Sequence, residues 1–349
     1  MNNLIPTPDS IPVNWWWFQI LLLFTFMIHI ILMNLIVGGS LLSIWDMINR
    51  RKPDQSSGSL PVLVALTINF GVPPLLFVQV LYGNLFYTSS IIMAIPWILV
   101  IPVLILAYYG AHIYAHRIDN SPALARGSLM ISTILLLYIG FMYVNNSTLA
   151  LTPDRWGMHF DRPGGGSLNL GEVTLIPRYL HFIIGAIAIA GLGKALWHHF
   201  DKKPIREDKK RAIRSGLQVF GWVTLVQMGI GTWFWLSLPN EMWKLFMGQN
   251  IAYTLLMSVG WLLALLILHS AFTNRLWASL IWGMLTLAVM IIIRDLVRHA
   301  YLGEIFSPAD LVTTGESSPL LAFLVIFVIG LISIYYMLKL MFKPKTEQP

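Results

Sequence analysis

Nine apolar runs, each close to the length that crosses a bilayer, set the limits on this chain. They fall at 15–45, 60–86, 91–114, 129–144, 176–197, 219–238, 251–268, 276–293 and 320–341 of 349 residues. A membrane-spanning helix needs about 17–25 predominantly apolar residues. Lipid offers the backbone no hydrogen-bond partner, so such runs are expected to be helices. Composition agrees: only 11% of residues are charged, against about 25% in a soluble domain. The mean hydropathy is +0.69. The expected fold class is therefore an all-α polytopic membrane protein, with a single membrane domain over 1–349. The first run has no basic flank before it and is longer than a signal peptide's core, so a cleaved leader is not expected.

Basic residues set the orientation. With the N-terminus outside, the inner segments hold Arg50, Arg51, Lys52, Arg117, Arg126, the eight Lys and Arg from Lys194 to Arg214, Arg275, Lys339, Lys343 and Lys345. That is 17 of the 23 Lys and Arg residues. The outer segments hold Arg155, Arg162, Arg178, Lys244 and Arg298, with Arg294 at the border. Nine spans then place the C-terminus in the cytoplasm. The net charge of +7 follows from this asymmetry, and no nucleic-acid partner is needed to explain it.

The chain has no cysteine. Disulfides, thiolate metal sites, iron–sulfur clusters and CxxCH haem attachment are excluded within it. Any redox ligand must be His or Met. The longest outer connection, 145–175, carries Gly164, Gly165 and Gly166 with Asp154, Arg155, Asp161 and Arg162, and is long enough to cap a site or dock a partner. Trp15, Trp16 and Trp17 sit where an interfacial aromatic belt belongs. No internal repeat is visible, which weighs against a transporter built from inverted halves.

Ionisable side chains within spans are costly, so each is a functional candidate. His181 lies one turn into the fifth run, with Gly185 and Ala188 following on its face. A flat cofactor beside a ligand helix needs such small residues. A histidine hydrogen-bonded across a helix interface gives the same pattern. His29 lies in the first run near Thr25, Met33 and Asn34, and Met257 lies in the seventh; methionine in an apolar helix is ordinarily packing. On the N-out topology His181 and Met257 share the outer half, with His29 between there and the middle. His116, His198, His199 and His269 sit at inner helix ends, His112 one turn from one, and His159 in the outer loop. The second run holds Asn69, Gly71, Pro73, Pro74, Gln79 and Gly83. Its prolines free carbonyls that protein or a cofactor cavity must shelter. Arg294, Asp295 and Arg298 cluster where the eighth run ends beside His299, suited to carboxylate groups or to an ordinary charged helix end.

Six stretches resemble, in one order, subunit I of the cytochrome bd quinol oxidases: "FTFMIHIILMNLIVGG", "TINFGVPPLLFVQVLYGNLFY", "VNNSTLALTP", "RYLHFIIGAIAIAGL", "LLMSVG" and "DLVRHAYLGE". The resemblance covers most of the chain and implies a nine-helix bundle with the N-terminus outside. It implies haem b, in two or three haems with haem d as a possible third. His29 falls on the ligand of a high-spin haem. His181 and Met257 fall on the axial ligands of a low-spin haem, with Gly185 making room for the macrocycle. Asp295 and Arg298 fall on the acidic-x-x-Arg pattern ending the eighth helix, with Arg294 beside them. Gln79 belongs to the Gly-rich second helix.

The chain also departs from that family. The third run carries no carboxylate, where the family has glutamates. The connection 239–250, with Glu241 and Lys244, is short where the family has a large quinol-binding loop. Leu255 stands where the family has an arginine two residues before the methionine. The expectation is a haem b-binding subunit of a respiratory complex in the bacterial inner membrane, oxidising quinol or menaquinol. It would work with other membrane subunits and pass electrons to a periplasmic c-type cytochrome or to oxygen. A true terminal oxidase reducing oxygen to water is the near alternative. A haem-free transporter or channel, and a cofactor-free assembly subunit, are the readings from other classes.

Overall fold

The computed structural model describes residues 4–49, 59–157, 164, 166–201 and 206–341. Of the residues singled out above, Arg50, Arg51, Lys52, His159, Asp161, Arg162, Gly165, Lys343 and Lys345 lie outside the described residues. Among the described residues, nine helices of 18 residues or more carry the fold: α1 (Trp15–Ile48), α2 (Leu60–Ile98), α3 (Val100–Arg117), α4 (Pro122–Ala150), α5 (Leu175–Phe200), α6 (Arg206–Leu236), α7 (Ile251–Phe272), α8 (Leu276–Leu302) and α9 (Ser318–Met341). Among the described residues, eight helices are long and apolar enough to cross a membrane: all of these except the 18-residue α3. The chain is a helical, multi-pass membrane protein.

Local chemistry starts several helices. Pro61 and Pro122 stand in the first turns of α2 and α4, where no backbone N–H is missed. Asn250 caps α7, its Oδ1 accepting from the backbone N–H of Ala252 at 3.0 Å and of Tyr253 at 3.3 Å. The upper end of the bundle is taken as the end where α1 begins. There Ile11 donates to Val312 O at 2.8 Å and Thr314 donates to Ile11 O at 2.9 Å, so α1 and α9 begin at the same end.

The turn between the second and third apolar runs is itself helical. The sequence places a break at 87–90; the structure instead has departures from helical geometry at Tyr82 and at Ala94, whose φ is +22°. Leu60 and Val64, near the start of α2, share a core cluster with Ala111 and Tyr114, near the end of α3. The chain therefore rises over 64–82, crosses the upper end over 83–93 and descends over 94–111, in arms of nearly equal length. Phe86 packs edge-on to Trp97 across this turn, ring centroids 5.7 Å apart.

Small residues set how closely helices approach. Gly191 of α5 crosses Gly216 of α6; a Cβ on Gly216 would lie 2.7 Å from the Gly191 carbonyl oxygen. Gly38 of α1 lies against the backbone of Ala186 in α5. Lower down, Lys194 Nζ meets Asp46 Oδ2 at 3.2 Å and joins the same two helices.

The Asn-rich stretch, expected in the outer connection, instead forms the last turns of α4 and fastens the connection that follows. The Asn145 side chain is fully buried, and its Oδ1 accepts the backbone N–H of Asn169 at 2.8 Å. Asn146 Nδ2 donates to Ser90 Oγ at 3.1 Å, reaching the crossing segment of α2. Trp156, 0% exposed, donates its indole N–H to Leu149 O at 2.8 Å. Replacing Asn145 with Ala strands a buried N–H, which costs about 1–3 kcal/mol. Limited proteolysis of the detergent-purified protein should then cut within 151–174 faster than in wild type, with the rest of the chain resistant. Unchanged cutting would show that the bond does not hold the connection.

Candidate functional site

A cavity of about 270 Å³ lies between α1, α5, α6, α7 and α8. Its walls are largely apolar, with few polar groups, as ligand sites commonly are. His181 and Met257 both line it, from α5 and α7. The sequence paired them by depth and by the family resemblance; the packing brings them to one space.

The His181 ring is placed by α6. A Cβ on Gly231 would lie 3.1 Å from His181 Cε1, so a side chain there would press the ring toward the cavity. Phe234, one turn on, tilts toward the ring with centroids 6.2 Å apart. Among the described residues no hydrogen bond reaches the imidazole, and its buried Nδ1 has no partner. The backbone carbonyl of His181 accepts from Gln227 Nε2 at 2.8 Å. Gly185 has a further role here: a Cβ there would lie 3.2 Å from Gln227 Nε2, so its missing side chain admits the glutamine. It also lines the cavity.

Two arginines close the upper end. Arg178, three residues before His181 on α5, is 7% exposed and stands over the Phe234 ring at 4.9 Å. Arg294 of α8 stands over the Phe26 ring of α1 at 4.5 Å. Both line the cavity. Asp295 and Arg298 do not. Arg298 Nη1 lies 3.5 Å from Asp295 Oδ1, and its guanidinium covers the Tyr82 ring at 4.6 Å, toward α2. His299 Nδ1 is 3.5 Å from Asp295 Oδ2. The short connection after α6 also covers the cavity: buried Phe246 lines it from above, and Gly248, with φ +107°, lets the chain turn into α7.

His29 stands apart. Its ring packs between α1 and α2 against Gly71, where a Cβ would lie 2.8 Å from Cε1. Its Nδ1 is 3.1 Å from the Thr67 carbonyl oxygen. A carbonyl accepts only, so this contact makes Nδ1 the protonated nitrogen and leaves Nε2 a lone pair. Such support from a carbonyl is the usual arrangement behind a metal-ligating histidine. Phe26, under Arg294, is one turn above His29 on α1. No hydrogen bond or ion pair among the described residues joins His29 to Asp295 or Arg298. Gln79 lies half-buried on α2 and is not part of the cavity wall. Leu255 is 60% exposed, on the outside of α7.

Sequence reasoning missed Arg178, Gln227, Gly231 and Trp235. Arg178 was legible from its three-residue spacing to His181. Gln227 and Gly231, four apart in an apolar helix, form a polar and small pair on one face.

Among the described residues no three His, Asp or Glu side chains converge as a metal cage. One unpartnered imidazole with one thioether suits instead a group that brings its own equatorial nitrogens, as haem does. No protein-family model matches this chain, and neither a curated protein nor a solved structure matches it.

Proposed function

We propose that this chain is a haem b-binding subunit of a respiratory membrane complex that oxidises quinol. The observation that carries the reading is the cavity lined by both His181, with its buried Nδ1 unpartnered, and Met257. His181 and Met257 would hold a low-spin haem b there, and His29 a second haem. A haem so held supplies one-electron redox chemistry. The chain's own residues orient the imidazole through Gly231 and Phe234, exclude water with the apolar walls and Phe246, and present Arg178 and Arg294 at the upper end.

Nine spans, N-terminus outside and C-terminus in the cytoplasm, complete the proposal. It is supported by α1 and α9 beginning at one end, since an alternating bundle achieves that only with an odd number of passes. The upper end is then the outer side. There quinol loses two electrons and two protons to become quinone, and both protons leave outward. The reading is tested by the absorption spectrum of the purified protein. Dithionite should produce the α-bands of reduced b-type haem; a spectrum without them returns the chain to the transporter or assembly readings.

His29 has its own test. His29→Ala should lower the haem stoichiometry and remove any carbon monoxide difference signal, while the low-spin bands at His181 persist. A full haem count in that variant makes His29 a packing residue bonded to Thr67.

The electron acceptor in this proposal is a partner cytochrome. Reduction of one oxygen molecule to water takes up four protons, and a buried site needs ionisable groups to deliver them. α3 offers none that is acidic: its polar side chains are Tyr108, Tyr109, His112, Tyr114 and His116, and Arg117 ends it. Purified complex should therefore consume oxygen slowly with quinol alone and reduce an added c-type cytochrome. Rapid, cyanide-insensitive oxygen uptake without cytochrome would establish the terminal oxidase instead.

A further inference from the structure

We propose that the upper end of the cavity binds the carboxylate end of an amphiphilic acid, and that Arg178 receives it together with Arg294. The proposal rests on the cavity being a ligand site, as the functional reading also requires. Its starting point is a charge imbalance. Arg178, Arg294 and Arg298 meet at this end, and one carboxylate, Asp295, stands with them. That carboxylate forms an ion pair with Arg298, Oδ1 to Nη1 at 3.5 Å, and His299 Nδ1 lies 3.5 Å from its Oδ2. The other buried acid nearby, Glu172, pairs with Arg155 at 3.0 Å and accepts from Thr174 Oγ1 at 2.9 Å. No carboxylate lines the cavity, yet two guanidinium groups do.

These guanidinium groups meet aromatic rings. The face of Phe234 or Phe26 offsets part of the desolvation of a cation, but it leaves the N–H donors unmade. Arg178 Nε and Nη2 are buried without partners, and so is Trp235 Nε1 in the same wall. All are donors only. A buried donor with no acceptor is costly, and a charged one more so. A carboxylate supplies the missing half: it accepts only, carries negative charge and matches the guanidinium fork. Among the described residues neither Arg178 nor Arg294 has an ion pair or side-chain hydrogen bond, so a ligand with two such groups would serve both.

The rest of the wall fixes the other half of the ligand. Below the arginines the cavity is bounded by Ile30, Phe182, Leu287 and Met290. Arg178 lies nearly a turn above His181 on one face of α5. A ligand seated here has an acidic upper edge and a broad apolar body. A dicarboxylate porphyrin and an acyl-chain acid both offer carboxylate chemistry above an apolar body. The two charges favour the porphyrin.

The test uses full-length protein purified in detergent from haem-starved cells. Haem and haem dimethyl ester are titrated and followed by absorption. Oleate and methyl oleate are titrated and followed by quenching of tryptophan fluorescence, since Trp235 and Trp261 line the cavity. Wild type should prefer haem to its ester by about 10- to 100-fold, the worth of charge-assisted hydrogen bonds in an apolar site. Arg178→Gln and Arg294→Gln should each cut that preference to roughly 3-fold or less while ester binding holds, which also shows that the variants fold. Arg178→Lys, with charge but no fork, should fall between.

Equal binding of haem and ester in wild type overturns the carboxylate site. The haem reading then still stands if His181→Ala abolishes both. Failure to bind either porphyrin defeats the haem reading, and the oleate pair decides the site. An Arg178-dependent preference for oleate upholds it; equal binding, or none, overturns it.

Discussion

Replacing His181 with Ala should abolish the low-spin b-type spectrum and leave a folded, monodisperse protein. Two opposed changes make the second half of that expectation specific. Truncating a half-buried ring removes packing, and losses of this kind run to about 2–4 kcal/mol in closed cores. This ring, however, already faces a cavity, so little new void is created. Its Nδ1 is buried with no partner, a cost of about 1–3 kcal/mol that the substitution removes. The two offset in the ligand-free protein. The spectrum should respond in full, because an iron ligand is either present or absent. Met257→Ala should convert the same haem to high spin and keep it bound through His181. Reduced-minus-oxidised spectra, beside size-exclusion profiles, check both. A low-spin spectrum intact in His181→Ala would remove His181 from the site.

Gly38→Leu should cost more stability than any surface change and prevent α1 from docking on α5. A side chain there runs into the backbone of Ala186 and the Ala190 Cβ, and a backbone cannot rotate out of the way. Overpacking typically costs about 1–3 kcal/mol, and a clash with main chain belongs at or above the top of that range. The adjacent glycine is the control. A Cβ on Gly39 has nothing within 4 Å, so Gly39→Leu changes hydrophobicity equally without the clash. Thermal unfolding followed by size-exclusion should show Gly38→Leu aggregated or strongly destabilised and Gly39→Leu close to wild type. Similar behaviour of the two would mean that the α1–α5 crossing is not held this closely.

Several of these features were readable in the sequence. Runs of apolar residues at bilayer length give helices, since no other open backbone arrangement satisfies itself in lipid. The fifth, seventh and eighth helices contain their expected runs, and the sixth ends two residues short of its own. His181 and Arg294 were also nameable, because an imidazole within an apolar run, or a guanidinium at its border, stands out against its neighbours, whereas Met257 was singled out only by depth and by the family resemblance.

What the sequence did not determine is which way each helix faces. In a soluble helix a polar stripe marks the outside. Here lipid and protein interior are both apolar, so α1, α7 and α9 are hydrophobic all round and carry no such mark. Only packing could therefore place His29 against α2 and outside the cavity, turn Asp295 and Arg298 toward Tyr82, and bring Arg178 over Phe234. Packing likewise gave the gap beside the His181 ring to Gly231 on a neighbouring helix, while Gly185 on its own helix admits Gln227. The helical crossing 83–93 has the same origin. Apolar residues continue through the turn, so nothing in their pattern separates a rising arm, a bridge and a descending arm. The kinks at Tyr82 and Ala94 divide them, and the matched lengths of the arms bring Val64 level with Ala111.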